Sequence, residues 1–245
     1  MIVDQPTILA SLLVFVAAII RGLTGFGFAA VAVVGLVLLM PLERAVPLIL
    51  CLEIASSLLL LPSAWREADR SLLRTLLLAA LLGVPCGIAV LSGTNPHWLT
   101  LCVYLLVGAL ALLGLSRIAL PLGRGPLSLS LVGGVSGALI ATFSIGGPLL
   151  VACLSQLQLN PTALRATLIL FFCVVDLAAL AGLSLSGAVT QATASQSLLL
   201  LPPLALGLWL GQQLFRQISA PIAARATQWL LLTLATLGLL GWWHS

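Results

Sequence analysis

The stretch ILASLLVFVAAIIRGLTGFGFAAVAVVGLVLLM, residues 8–40, decides the fold. It is apolar well beyond the ~20 residues that cross a bilayer. It is interrupted once, by Arg21-Gly22-Leu23-Thr24-Gly25-Phe26-Gly27. The rest of the chain is built of the same material. Hydrophobic residues make up 61% of the 245 and charged residues only 7%, against about 25% charged in a soluble domain. So few charges cannot clothe a soluble surface, so most of this surface must face lipid. Backbone groups in lipid must satisfy one another, which leaves helices or closed barrels. The run 198–210 is continuously apolar, whereas barrel strands alternate. The expected fold is an all-α polytopic membrane protein.

Outward from the first block come apolar runs at 46–61, 72–91 and 98–115. A second long block, 127–154, is broken by glycines and by Thr142-Phe143-Ser144-Ile145-Gly146-Gly147-Pro148. Runs at 164–183, 198–215 and 222–243 follow. This gives about eight hydrophobic segments in a single transmembrane domain, 1–245. The order repeats: a broken block, then three simple spans. Gly27 pairs with Gly147, Pro41 with Pro161, Leu48-Ile49-Leu50 with Leu168-Ile169-Leu170, and Gly83/Gly87 with Gly207/Gly211. Residues 1–120 and 121–245 therefore read as two repeats.

All ten basic side chains are Arg, and they set topology. Arg66, Arg70 and Arg74 in loop 63–74, and Arg117 and Arg124 in loop 116–126, place both loops in the cytoplasm. The turn 92–97 and the loop 184–197 have no Arg and read as outside; Arg216 and Arg225 flank an inside connection. Equivalent loops fall on opposite sides, the signature of an inverted repeat. Each broken block must then enter and leave on one face, as a helical hairpin. The start of the chain has Asp4 and no positive n-region, so both termini are expected outside.

A hairpin tip inside the membrane has unpaired backbone groups, and glycine there allows close approach of a ligand. N–H groups at a half-helix N-terminus suit an anion. The expected binding residues are Thr24, Gly25, Phe26 and Gly27 at one tip, and Thr142, Ser144, Ile145, Gly146 and Gly147 at the other. Gly133, Gly134 and Gly137 read instead as helix-packing positions. Arg21, Arg44 and Arg165 are candidates for anion attraction, with helix-end anchoring as the plainer role. Phe26 and Phe143 flank the breaks and are candidate gates. Glu53 and Asp176 lie inside apolar runs at matched places in the two halves. A charge there normally faces a cavity or a partner, which makes both candidates for carrying a proton.

Here the chain resembles the sulfite exporter TauE/SafE family of membrane permeases. The resembling residues are Gly22-Leu23-Thr24-Gly25-Phe26-Gly27 with Pro41 and Arg44-Ala45, and Gly137 through Ser144-Ile145-Gly146-Gly147-Pro148 with Pro161 and Arg165-Ala166. The glycine pairs at 83/87 and 207/211 belong to the same likeness, which covers essentially the whole chain. Gly27-Phe28-Ala29 departs from it, being less glycine-rich than many relatives. The resemblance implies a multi-pass permease of a bacterial-type inner (plasma) membrane, with roles for sulfite, sulfonates and other sulfur-containing anions.

Other classes fit less well. An enzyme would need a convergent acid–base or metal set, yet the histidines are only His97 and His244 and no H-E-x-x-H or Cys/His cluster occurs. The five cysteines, Cys51, Cys86, Cys102, Cys153 and Cys173, read as buried reduced thiols acting as small hydrophobes. No P-loop is present, and no cofactor or metal is expected. No basic run with interleaved aromatics points to nucleic acid. The expected partners are a small anionic solute, the lipid bilayer and, as an open alternative, further copies of the chain in a homo-oligomer. The expected function is secondary transport of a small anion, a sulfur-containing oxyanion or organosulfonate, coupled to protons and bound between the two glycine-rich tips. The alternatives are a cation carrier or channel using Glu53 and Asp176, and a non-transporting subunit of a membrane complex.

Overall fold

A computed structural model describes residues 5–116, 125–154, 157, 160–215, 217 and 220–243. Asp4, Arg117, Arg124, Arg216 and His244 lie outside the described residues. Those described form ten helices. They are α1 (Gln5–Thr24), α2 (Phe28–Leu36), α3 (Leu42–Ala64), α4 (Arg70–Gly93), α5 (Pro96–Ser116), α6 (Pro126–Phe143), α7 (Gly147–Leu154), α8 (Pro161–Leu185), α9 (Gln191–Phe215) and α10 (Ala220–Trp243). Local chemistry sets the starts. Asp69 accepts from the N–H groups of Ser71 and Leu72 at 3.0 and 3.1 Å ahead of α4. Asn160 accepts from Thr162 N–H at 3.1 Å ahead of α8, with Pro161 in the first helical position.

Among the described residues, seven helices are long and apolar enough to cross a bilayer: α1, α3, α4, α5, α6, α8 and α9. The block expected as the eighth forms α10, which is 24 residues long but diluted by Arg225, Thr227, Gln228, Thr233 and Thr236. Each broken block has unequal arms, a span-length helix followed by a short one of nine (α2) or eight (α7) residues. In the first, Gly27 lies against Ile20 and Gly35 against Leu13, so α2 folds back along α1.

The helices interlock. α1 packs on α9, α4 on α6, α3 on α8 and α5 on α10. When α1–α5 is laid on α6–α10, these contacts map onto one another. α3 and α8 run in opposite directions, and so do α5 and α10. Asp69 N–H donates to Thr167 Oγ1 at 3.0 Å, tying the α3–α4 turn to the first part of α8. At the other end, Trp242 Nε1–H donates to the His97 carbonyl at 3.2 Å and the two rings stack at 4.6 Å. This joins the end of α10 to the start of α5.

Glycine makes two of these contacts possible. Gly83 and Gly87 of α4 face the backbone of Gly134 and Ala138, while Gly133 and Gly137 of α6 face Leu76 and Ala80. On the other side Gly22 of α1 meets Leu208 and Gly211, and Gly207 of α9 meets Phe15 and Ala18. In both seams backbone lies on backbone, the close approach that small residues permit in lipid. Leu82, Leu185 and Trp243 project outward with large exposures, as a lipid-facing surface requires. Cys86 and Cys102 also lie exposed rather than buried, because a thiol is apolar enough for lipid.

Candidate transport site

The first break is a turn that closes itself. Gly25 and Gly27 have φ of 84° and 89°, a backbone that side chains rarely adopt. Gly25 N–H donates to Arg21 O at 2.7 Å. The Thr24 hydroxyl lies 2.8 Å from Ile20 O and 2.7 Å from Phe26 O, and it accepts from Phe26 N–H at 3.3 Å. Thr24 therefore serves the turn itself. The last carbonyls of a helix have no partner within it, and Arg165 supplies one from across the molecule. Its Nη2 donates to Gly22 O at 2.9 Å. Its stem passes so close to Gly25 that a Cβ there would stand 2.5 Å from Arg165 Cγ.

The second break works differently. Ser144 ends α6 with φ of 58°, the one described non-glycine residue in the left-handed region. That conformation costs an ordinary residue about 1–2 kcal/mol. The turn alone would favour glycine, and the hydroxyl that stands there instead lines the space between the breaks. It donates only weakly, to Val46 O at 3.5 Å. The Thr142 hydroxyl lies 2.9 Å from Ala138 O and 3.0 Å from Gly87 O, holding α6 to α4. Phe143 and Ile145 are buried beside it.

The two breaks meet. A Cβ on Gly147 would lie 3.4 Å from Phe26 Cβ and 3.4 Å from Phe172 Cζ. Between them is a cavity of about 10 Å³ lined by Gly27, Ala29 and Ala30 from one break, Ser144 to Pro148 from the other, and Glu53 and Phe172. Such a space holds about one water. The first turns of α2 and α7 both open onto it, and their N–H groups have no partner within the helix. Phe26, Gly27, Ser144, Ile145, Gly146 and Gly147 are thus brought together, while Gly25 faces the Arg165 stem.

Arg21 is fully buried against this cluster. Its Nη1 lies 2.5 Å from Glu53 Oε1, and its Nη2 donates to Ser57 Oγ at 2.5 Å. Its guanidinium carbon is 5.6 Å from the centre of the Phe172 ring. Asp176, also fully buried, sits beside Glu53 and Arg21. Neither of its oxygens makes a hydrogen bond of ordinary geometry among the described residues. Arg44 is not part of the group. It is exposed and lines a separate pocket of about 260 Å³ with Thr7, Met40, Gln196 and Leu200.

Sequence reasoning named both carboxyls and Arg21 but not their pairing, because Arg21 and Glu53 are 32 positions apart on different helices. Ser57 and Phe172 were missed as well. Ser57 stands one helical turn beyond Glu53, the one signal that could have named it. The arrangement gives one small space onto which two helix starts open, with Glu53 on its wall and the buried Arg21 and Asp176 behind Glu53. Neither the curated proteins nor the solved structures contain a match to the chain. The family model described as sulfite exporter TauE/SafE matches residues 10–238, and the chain belongs to that family of membrane transporters.

Proposed function

We propose that the chain is a secondary transporter of a small anion, a sulfur-containing oxyanion or short organosulfonate, held between the two glycine-rich breaks. One observation carries this reading. Two half-helix N-termini open onto one small cavity, and Glu53, which lines it, is paired with the fully buried Arg21. Oxyanions accept several N–H bonds at once, from helix starts and from the guanidinium fork. The residues 1–120 and 121–245 act as inverted repeats that move against each other, and opposed same-rank helices are what such a pair requires. With room for about one water, the cavity as it stands is too small for the anion. Movement of one half against the other opens it. The coupling proton is carried within the buried carboxyl pair Glu53 and Asp176.

A cation carrier would also use a pair of neighbouring carboxyls. Here Arg21 stands where such a cation would bind, 2.5 Å from Glu53, and this favours the anion. The protein works as a multi-pass permease of a bacterial-type plasma membrane. Flux into proteoliposomes tests the reading. Sulfite should enter saturably and be inhibited by ethanesulfonate, while rubidium does not cross. Rubidium flux with no sulfite flux would reverse the assignment.

A further inference from the structure

We infer that the Glu53 carboxylate is a tethered occupant of the anion site, so that a solute anion binds by displacing it and one proton enters with each negative charge. This rests on the anion reading above.

Glu53 already makes the contacts an anion would make. It pairs with Arg21 at 2.5 Å, lies within reach of the Ala29 amide in the first turn of α2, and lines the cavity between the breaks. With about 10 Å³ free, an anion cannot join it. Charge leads to the same conclusion. Arg21 and one carboxylate are neutral together, and a second negative charge in a buried site would be uncompensated. The displaced carboxylate must then take a proton from water or turn into apolar surroundings bearing its charge, which is far more costly. The proton ends on Glu53 and the guanidinium on the anion, so charge stays balanced.

The surroundings give few other places for that proton. Asp176 and Cys173 approach from α8 and Arg21 from α1. Arg165 lies beyond the first break, engaged with Gly22 O. α2, α6 and α9 contain no charged side chain, and α5 none apart from His97 in its first turn. Asp176 is the single rival.

The test is calorimetric binding of methanesulfonate to purified protein between pH 5 and pH 9. This probe stays a monoanion throughout, so any pH dependence belongs to the protein. In the unaltered protein, affinity should fall about tenfold per pH unit once the acceptor is ionised, the linkage expected for one proton. In Glu53→Gln it should be flat and tight. In Asp176→Asn the slope should remain. A slope kept in Glu53→Gln but lost in Asp176→Asn would move the role to Asp176 and overturn the inference. Flat binding in the unaltered protein would overturn it even if the variant failed to fold, and would leave the anion reading standing. No binding in the unaltered protein would remove both.

Discussion

Replacing Arg21 by alanine should abolish anion flux and destabilise the protein, and adding Glu53→Gln should restore stability while flux stays lost. Arg21 is fully buried and bridges Glu53 and Ser57, each at 2.5 Å. Deleting it strands a buried carboxylate. Breaking such a pair from one side costs about 3–5 kcal/mol, a large share of any protein's net stability. Neutralising Glu53 removes the stranded charge, so most of that loss should return. Flux should not return, because the guanidinium that attracts the anion is absent. Thermal unfolding in detergent and proteoliposome flux separate the two effects. If the double variant transports normally, Arg21 has only a structural role. Arg21→Lys should be a poor substitute, since an ammonium lacks the fork that spans two oxygen partners.

The second large effect concerns the seam between α4 and α6. Gly137→Val should leave little folded protein. A Cβ at Gly137 would run into the Ala80 carbonyl, backbone against backbone, where no side chain can rotate away. The helices must separate, and the neighbouring contacts of Gly133 on Leu76 and Gly83 on Gly134 open with them. The loss should exceed the ~1–3 kcal/mol of ordinary overpacking. Gly93→Val is the control, since nothing lies within 4 Å of its Cβ position. Size-exclusion profiles in detergent should show a sharp peak for the control and aggregate for Gly137→Val. Equal profiles would mean that the seam yields easily.

Much of the fold was legible because lipid leaves few choices. Long apolar runs can only be helices, and the breaks at 22–27 and 142–148 are written as glycine in an otherwise greasy chain. Packing of Gly133 and Gly137 followed from their spacing. The site was legible only in part. Glycine announces a break but not how the loose ends are tied, and Thr24 shows the difference. As a sequence element it is a free hydroxyl donor; in place it is held by Ile20, Phe26 and its own turn. Arg165 looked like an anchor at a helix end, yet its reach to Gly22 O depends on α8 lying beside the first break. The Arg21–Glu53 pair was hidden for the same reason. Contacts between distant helices are set by packing that no local pattern records.

Solute protection of a cysteine placed between the breaks tests the account most directly. The native cysteines at 51, 86, 102, 153 and 173 are first replaced, and Ser144→Cys is introduced. A small maleimide then reports access to the cavity. Methanesulfonate serves as the solute, because sulfite would itself attack the reagent. Labelling at position 144 should slow several-fold as methanesulfonate fills the site, with no change at a Thr94→Cys control on an exposed turn. Unchanged labelling at 144, in protein that still carries methanesulfonate across liposomes, would place the anion elsewhere.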